Sequence, residues 1–147
     1  MFRSMLTTKN ARGFTLIELV VVITILGILA AFAVPRFIAL QAQARAASVE
    51  SLQGSLRSAA ALTHSMWMVR GNPVDMEGLS INLVNGYPSY ADIDNTLVDV
   101  SGFNYDPTTG QFSKVGAATP ATCSVTYTPP AALGASPAII YDISDCR

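Results

Sequence analysis

"RGFTLIELVVVITILGILAAFAVP", Arg12 to Pro35, decides how this chain is read. From Phe14 to Val34, 21 residues, it is apolar except at Thr15, Glu18 and Thr24. As a helix that run is about 31 Å long at about 1.5 Å per residue. It matches a hydrocarbon core of about 30 Å. Glu18 breaks the pattern. A carboxylate at a bilayer centre costs roughly 2.5–3.5 kcal/mol on insertion scales. A segment that only anchored would carry another leucine there. Glu18 therefore reads as half of a pair whose other half must be supplied in another way.

The flanks set direction. Arg3, Lys9 and Arg12 precede the run with no acid among them. Positive charge on that side favours an N-terminus held in the cytoplasm and an exported remainder. Arg36 weakens the asymmetry without reversing it. Residues 1–13 are short, polar and basic, and read as a leader that is removed. Two blander readings compete. A secretory signal peptide could be cut after "AFA", Ala31 to Ala33. Against it, the run is longer than a usual signal core, and Ala-rich helical sequence continues past the cut. A plain single-pass anchor leaves Glu18 unexplained.

Helical periodicity continues beyond Pro35. Val49, Leu52, Leu56, Ala59 or Ala60, Thr63 and Met66 fall at three-four spacing, one stripe on a helix. "RGNP", Arg70 to Pro73, supplies a Gly cap and then a Pro that cannot continue. The spacing predicts one helix from about Phe14 to about Val69, apolar all round in its first half and on one side in its second. Pro35 removes the hydrogen bond to the Ala31 carbonyl and is expected to kink or loosen the helix. Gly27 adds a weak point. The alternative at Pro35 is a fresh helix start, giving two helices.

Residues 72–97 read as a connector with turn signals at "GNP", "NGYP" and "DIDN", with short strands expected to start before or within it, at Leu79–Val84. "GFNYDPTTGQFSKVG" reads as a hairpin: Phe103 and Tyr105 lead in, and Gln111 to Val115 lead out. "TCSVTYT", Thr122 to Thr128, alternates as a half-buried strand. "AIIYDI", Ala138 to Ile143, is a last strand. The fold class is α+β: a long helix packed by its C-terminal half on an antiparallel sheet of about four strands. Three segments follow: leader 1–13, apolar helix 14–35 for a membrane or a filament core, and globular head 36–147.

The 147 residues are half hydrophobic and only 13% charged, with net charge −1. No Lys/Arg stretch is dense enough to track a phosphate backbone, so no nucleic-acid partner is expected. Cys123 and Cys146, in an exported domain, allow a single disulfide. It would close a loop of about 24 residues, worth about 3.5 kcal/mol in the chain-entropy model. With one His and no CxxC, no metal-ligand spacing and no cofactor are read. "ADIDN", Ala91 to Asn95, with Asp99 could offer oxygen ligands to calcium, but lacks the EF-hand spacing. His64 reads as solvated or head-packing, and Met66 and Trp67 as core between helix and sheet. No nucleophile–base pair, Gly-rich phosphate loop or paired carboxylates stand out, so enzyme activity is not expected.

"GFTLIELVVVITILGILAAFAVP" after a short basic leader resembles the N-terminus of type IV prepilins, over about Arg12 to Arg45. "VNGYPS" and "TCSVTYTPP" resemble the mannose-sensitive haemagglutinin-like branch of type IVa pilins. The resemblance implies cleavage by prepilin peptidase between Gly13 and Phe14 and N-methylation of Phe14. It implies pairing of Glu18 with the Phe14 amine of a neighbouring subunit, and loss of helix between Gly27 and Pro35 in assembled pili. The implied partners are other copies of the chain in a helical homopolymer, an inner-membrane assembly platform, and the membrane through residues 14–34. The implied location is the inner membrane before assembly and an extracellular pilus after it. The alternative is a pseudopilin of a type II secretion system, acting in the periplasm. The Cys123–Cys146 pair and the extra C-terminal strand favour the pilin.

Overall fold

The structure, a computed structural model, describes residues 13–147. Of the expected leader only Gly13 falls among them; residues 1–12 lie outside the described residues. The chain divides into two units, one ending at Phe37 and one spanning Ile38–Arg147.

Helix α1, Leu16–Arg70, contributes to both units. It starts two residues later than the apolar run suggests, because Thr15 serves as its cap. It ends where Gly71 takes φ +83° and donates its N–H to the Trp67 carbonyl at 2.8 Å. That is the left-handed glycine stop which "RGNP" predicts. Gly27 and Pro35 both lie inside α1, which is one helix rather than two. In the first unit every described residue, Gly13 to Phe37, is exposed. This helix is long and apolar enough to cross a membrane.

The second unit has a conventional core. Val49, Leu52, Leu56 and Ala60 of α1 are buried against Ile93, Phe112, Val125, Tyr127 and the two cysteines. Ala59 and Thr63 complete the buried stripe, while Met66 and Trp67 are only half-buried. The Thr63 hydroxyl is satisfied by donating to the Ala59 carbonyl at 2.8 Å.

After α1 come two small antiparallel hairpins. β1 (Val74–Met76) pairs with β2 (Leu79–Ile81), and β3 (Leu83–Val84) with β4 (Tyr87–Pro88). The short strands expected at Leu79–Val84 are β2 and β3, and they belong to two different hairpins. Each hairpin buries little, yet Val74 and Ile81, which face each other, are fully buried.

The main sheet is an antiparallel meander in the order β5 (Phe103–Asp106), β6 (Gln111–Lys114), β7 (Ser124–Thr128), β8 (Ala138–Asp142). Register places Tyr105 beside Phe112 and Phe112 beside Val125, forming one cross-strand row. The Tyr105 and Phe112 rings stack at 4.2 Å, an aromatic pair of the kind that stabilises neighbouring strands. At the β5–β6 turn Gly110 has φ +72°, and a Cβ there would lie 2.2 Å from the Tyr127 carbonyl oxygen. Only glycine fits that close approach.

Two tyrosines tie the connector to the sheet: Tyr127 donates its hydroxyl to the Pro88 carbonyl at 2.8 Å, and Tyr105 donates to the Tyr90 carbonyl.

Candidate functional site

The cleavage and assembly residues read from the sequence meet at the start of α1. Gly13, Phe14 and Thr15 precede the first helical residue. Phe14 is 90% exposed, so the Gly13–Phe14 peptide bond lies in open, non-helical chain. Proteolysis needs such accessible backbone. Phe14, Ile17, Glu18, Val21 and Val22 line one shallow hollow. These positions share a helix face by their three-four spacing.

Thr15 and Glu18 form a reciprocal cap. The Glu18 N–H donates to Thr15 Oγ1 at 3.3 Å, and the Thr15 N–H donates to Glu18 Oε2 at 2.8 Å. The Thr15 hydroxyl adds a third bond to Oε2 at 2.7 Å. This T-x-x-E arrangement is a capping box, which satisfies two backbone donors that the helix start leaves over. The sequence reading identified Glu18 but missed Thr15 as its partner. The signal was there: a Thr three residues before a Glu, at the start of an apolar run. The other polar residue of the run, Thr24, folds its hydroxyl back on the Val20 carbonyl, so it makes no outward demand.

The second cluster belongs to the head. Cys123 and Cys146 form a disulfide and are both buried. Arg45 of α1 donates to the Cys146 carbonyl at 3.3 Å, and Gln53 donates to the Ile139 carbonyl on β8 at 3.2 Å. The helix thus holds both the disulfide-closed end and the last strand. His64 is half-buried and stacked on Tyr87, with ring centroids 4.2 Å apart. Its Nδ1 lies 2.9 Å from the Gly86 carbonyl, which can only accept, so Nδ1 carries the proton.

The acidic turn is occupied by its own donors. Asp92 accepts from Asn82 N and Nδ2 at 3.0 and 2.9 Å, and from Ser89 Oγ at 3.1 Å. Partial burial opposes its charge, but these bonds outweigh that and hold the carboxyl below its usual range. Asp99 accepts the Ser101 N–H at 2.7 Å. Among the described residues no cluster of three His, Cys, Asp or Glu side chains is placed to hold a metal.

Comparison with known proteins places the N-terminal stretch. Residues 8–34 match the model of the prokaryotic N-terminal methylation motif. The type IV narrow pilus major component PilA5 of Thermus thermophilus is 56% identical over 53 residues, 36% of this chain and 46% of the relative. The fimbrial protein of Dichelobacter nodosus is 36% identical over 118 residues, 80% of this chain and 66% of the relative. The type IV major pilin protein PilA of Myxococcus xanthus is 62% identical over 34 residues, 23% of this chain and 16% of the relative. The chain thus spans less than half of PilA5 and a smaller share of PilA. No solved structure matches the chain. None of these relatives bears on the mannose-sensitive haemagglutinin-like branch, and none favours a pseudopilin.

Proposed function

We propose, from the premise that this chain is a type IV prepilin, that it is a structural subunit of an extracellular type IV pilus and not an enzyme. One observation carries the reading. Every residue from Leu16 to Phe37 is exposed on a largely apolar helix, and that helix carries a glutamate at the third position after the cap. A helix apolar on all sides must be buried in lipid or in other protein. Here it serves both in turn: segment 14–35 holds the precursor in the membrane and later forms the filament core. Segment 36–147 is the exported head.

Prepilin peptidase cuts the open Gly13–Phe14 bond, removing leader 1–13, and methylates the new Phe14 amine. An α-amine has an ordinary pKa of about 7.7–8 and is mostly cationic at neutral pH. Glu18 of one subunit then meets Phe14 of another. In a low-dielectric filament core an unpaired carboxylate is expensive, so the pair acts more as a register pin than as a large source of stability.

The contact joins two different patches, is therefore heterologous, and propagates as a helical filament if its rotation does not close. Assembly proceeds at an inner-membrane platform, with the leader on the cytoplasmic side. Gly27 and Pro35 mark the stretch that gives up helix when the subunit enters the filament.

The test is a Glu18→Ala chain expressed beside the unaltered one, scored by filaments sheared from cells. The expected result is a folded, disulfide-bonded head with filaments reduced by at least tenfold. Filaments at unaltered yield would contradict the assembly role of Glu18.

A further inference from the structure

We infer that heads of two copies interlock through patches on opposite flanks of α1: Val98 and Asp99 of one copy enter a hollow beside Arg57 of the other. The inference rests on the pilus-subunit reading above and extends it from the apolar helix to the head.

The hollow lies where α1 meets the last strand. Gln53 of α1 donates to the Ile139 carbonyl of β8 at 3.2 Å. About one helical turn further on, the exposed Arg57 borders a hollow of about 370 Å³ whose other walls are Ala60, Ala61, Tyr87, Pro137 and Ile139. Those walls are apolar apart from the tyrosine hydroxyl, so the hollow offers one positive charge beside an apolar lining. Arg57 pairs with no carboxylate of its own chain: among the described residues the one ion pair joins Arg147 to Asp145.

The complementary patch is on the other flank. Ser55, Ser58 and Leu62 of α1 border a second hollow together with Val98 and Asp99. On a helix of about 3.6 residues per turn, Arg57 and Ala61 fall on one side of the buried stripe of Leu52, Leu56 and Thr63, and Ser55 and Leu62 on the other. Val98 is wholly exposed. A lone surface valine calls for no partner. Val98 differs because an exposed carboxylate follows it at once. Asp99 accepts the Ser101 N–H at Oδ1, 2.7 Å away, and pairs with no cation among the described residues. One flank thus carries an apolar knob with a negative charge beside it, and the other an apolar hollow with a positive charge beside it.

The two patches differ, so their contact is heterologous, and every copy offers both halves. That is the form a contact repeated along a filament needs. The valine supplies apolar burial. The carboxylate–guanidinium pair fixes register and rejects wrong seatings more than it adds affinity.

Charge reversal tests the pairing. Full-length chains carrying Arg57→Glu, Asp99→Arg or both are expressed in place of the unaltered one, and filaments sheared from cells are quantified. Both positions are exposed, and an intact Cys123–Cys146 disulfide verifies that the head has folded. Each single variant sets like charges against each other and is expected to give at least about tenfold fewer filaments. The double variant restores opposite charges and is expected to recover most of the unaltered yield. Unaltered yield in either single variant would overturn the inference, as would a double variant no better than the singles.

A second variant reads the contact directly. In a chain carrying Ala61→Cys and Val98→Cys, mild oxidation of the filaments is expected to give a ladder of covalent multimers on a non-reducing gel, which neither single-cysteine chain gives. Filaments of the double-cysteine chain that give no ladder would overturn the inference and leave the pilus-subunit reading standing. If the unaltered chain forms no filaments at all, that reading fails and this inference fails with it.

Discussion

Leu26 and Leu56 belong to the same helix, and the first is 57% exposed while the second is fully buried. The surroundings of Leu26 from Leu16 to Phe37 are exposed throughout and apolar except at Glu18, Thr24 and Arg36. Those of Leu56 alternate: Ser55 and Arg57 are exposed, while Leu52 and Ala60 are buried. Leu56 has its partners within the chain, in Phe112, Val125 and Tyr127. Among the described residues Leu26 belongs to no buried cluster. The second half of α1 is stabilised by the fold it belongs to; the first half is an exposed apolar surface, which on the pilus-subunit proposal is covered by lipid or by further copies. Exposed apolar area on this scale marks an interaction site.

That contrast can be broken by substitution. Leu56→Ala, in the buried stripe, should cost about 4 kcal/mol of head stability. Leu26→Ala should leave head stability unchanged. Thermal unfolding of the detergent-solubilised chain, followed in the near ultraviolet, checks both. Equal losses at the two positions would abolish the distinction drawn here.

A slightly smaller effect is expected at the disulfide. Cys146→Ser opens the Cys123–Cys146 loop, whose ends are 23 residues apart, and should cost about 3.5 kcal/mol. The loss should again be confined to the head, with the helical signal of the apolar half retained by circular dichroism.

The smallest effect is a pH dependence. Burial pushes the Tyr127 and Tyr105 phenols up from their ordinary value, and the nearby Asp94, Asp106 and Asp92 carboxylates push Tyr105 further. A phenol whose folded pKa is raised contributes stability below its unfolded pKa of about 10 and loses it as pH climbs beyond. Head stability should therefore fall above about pH 10. Two of the five tyrosines should ionise late in an absorbance titration. Simultaneous ionisation of all five would show the head to be open.

Where one physical signal dominated, the sequence was enough. The stripe from Val49 to Thr63 and the "RGNP" stop placed the end of α1 to within a residue. Alternation in "TCSVTYT" and "AIIYDI", with the "DPTTG" turn, placed all four strands of the main sheet. The hairpins of β1 to β4 were not legible, because strands of two or three residues are too short to carry a period. Their existence depends on tertiary partners such as Tyr127, whose hydroxyl holds the Pro88 carbonyl. At the candidate site Glu18 stood out in the sequence through its cost in an apolar run, and the structure adds its capping bonds to Thr15. Its local partner was legible in principle, since Thr15 to Glu18 spells a capping box.

The most direct test is the N-terminal residue of the mature protein, read by mass spectrometry of material sheared from cells. The account predicts a chain beginning at N-methylated Phe14, recovered in filaments. A chain beginning at Val34, or one retaining Met1, would contradict it: the first is a cleaved signal peptide and the second a simple anchor.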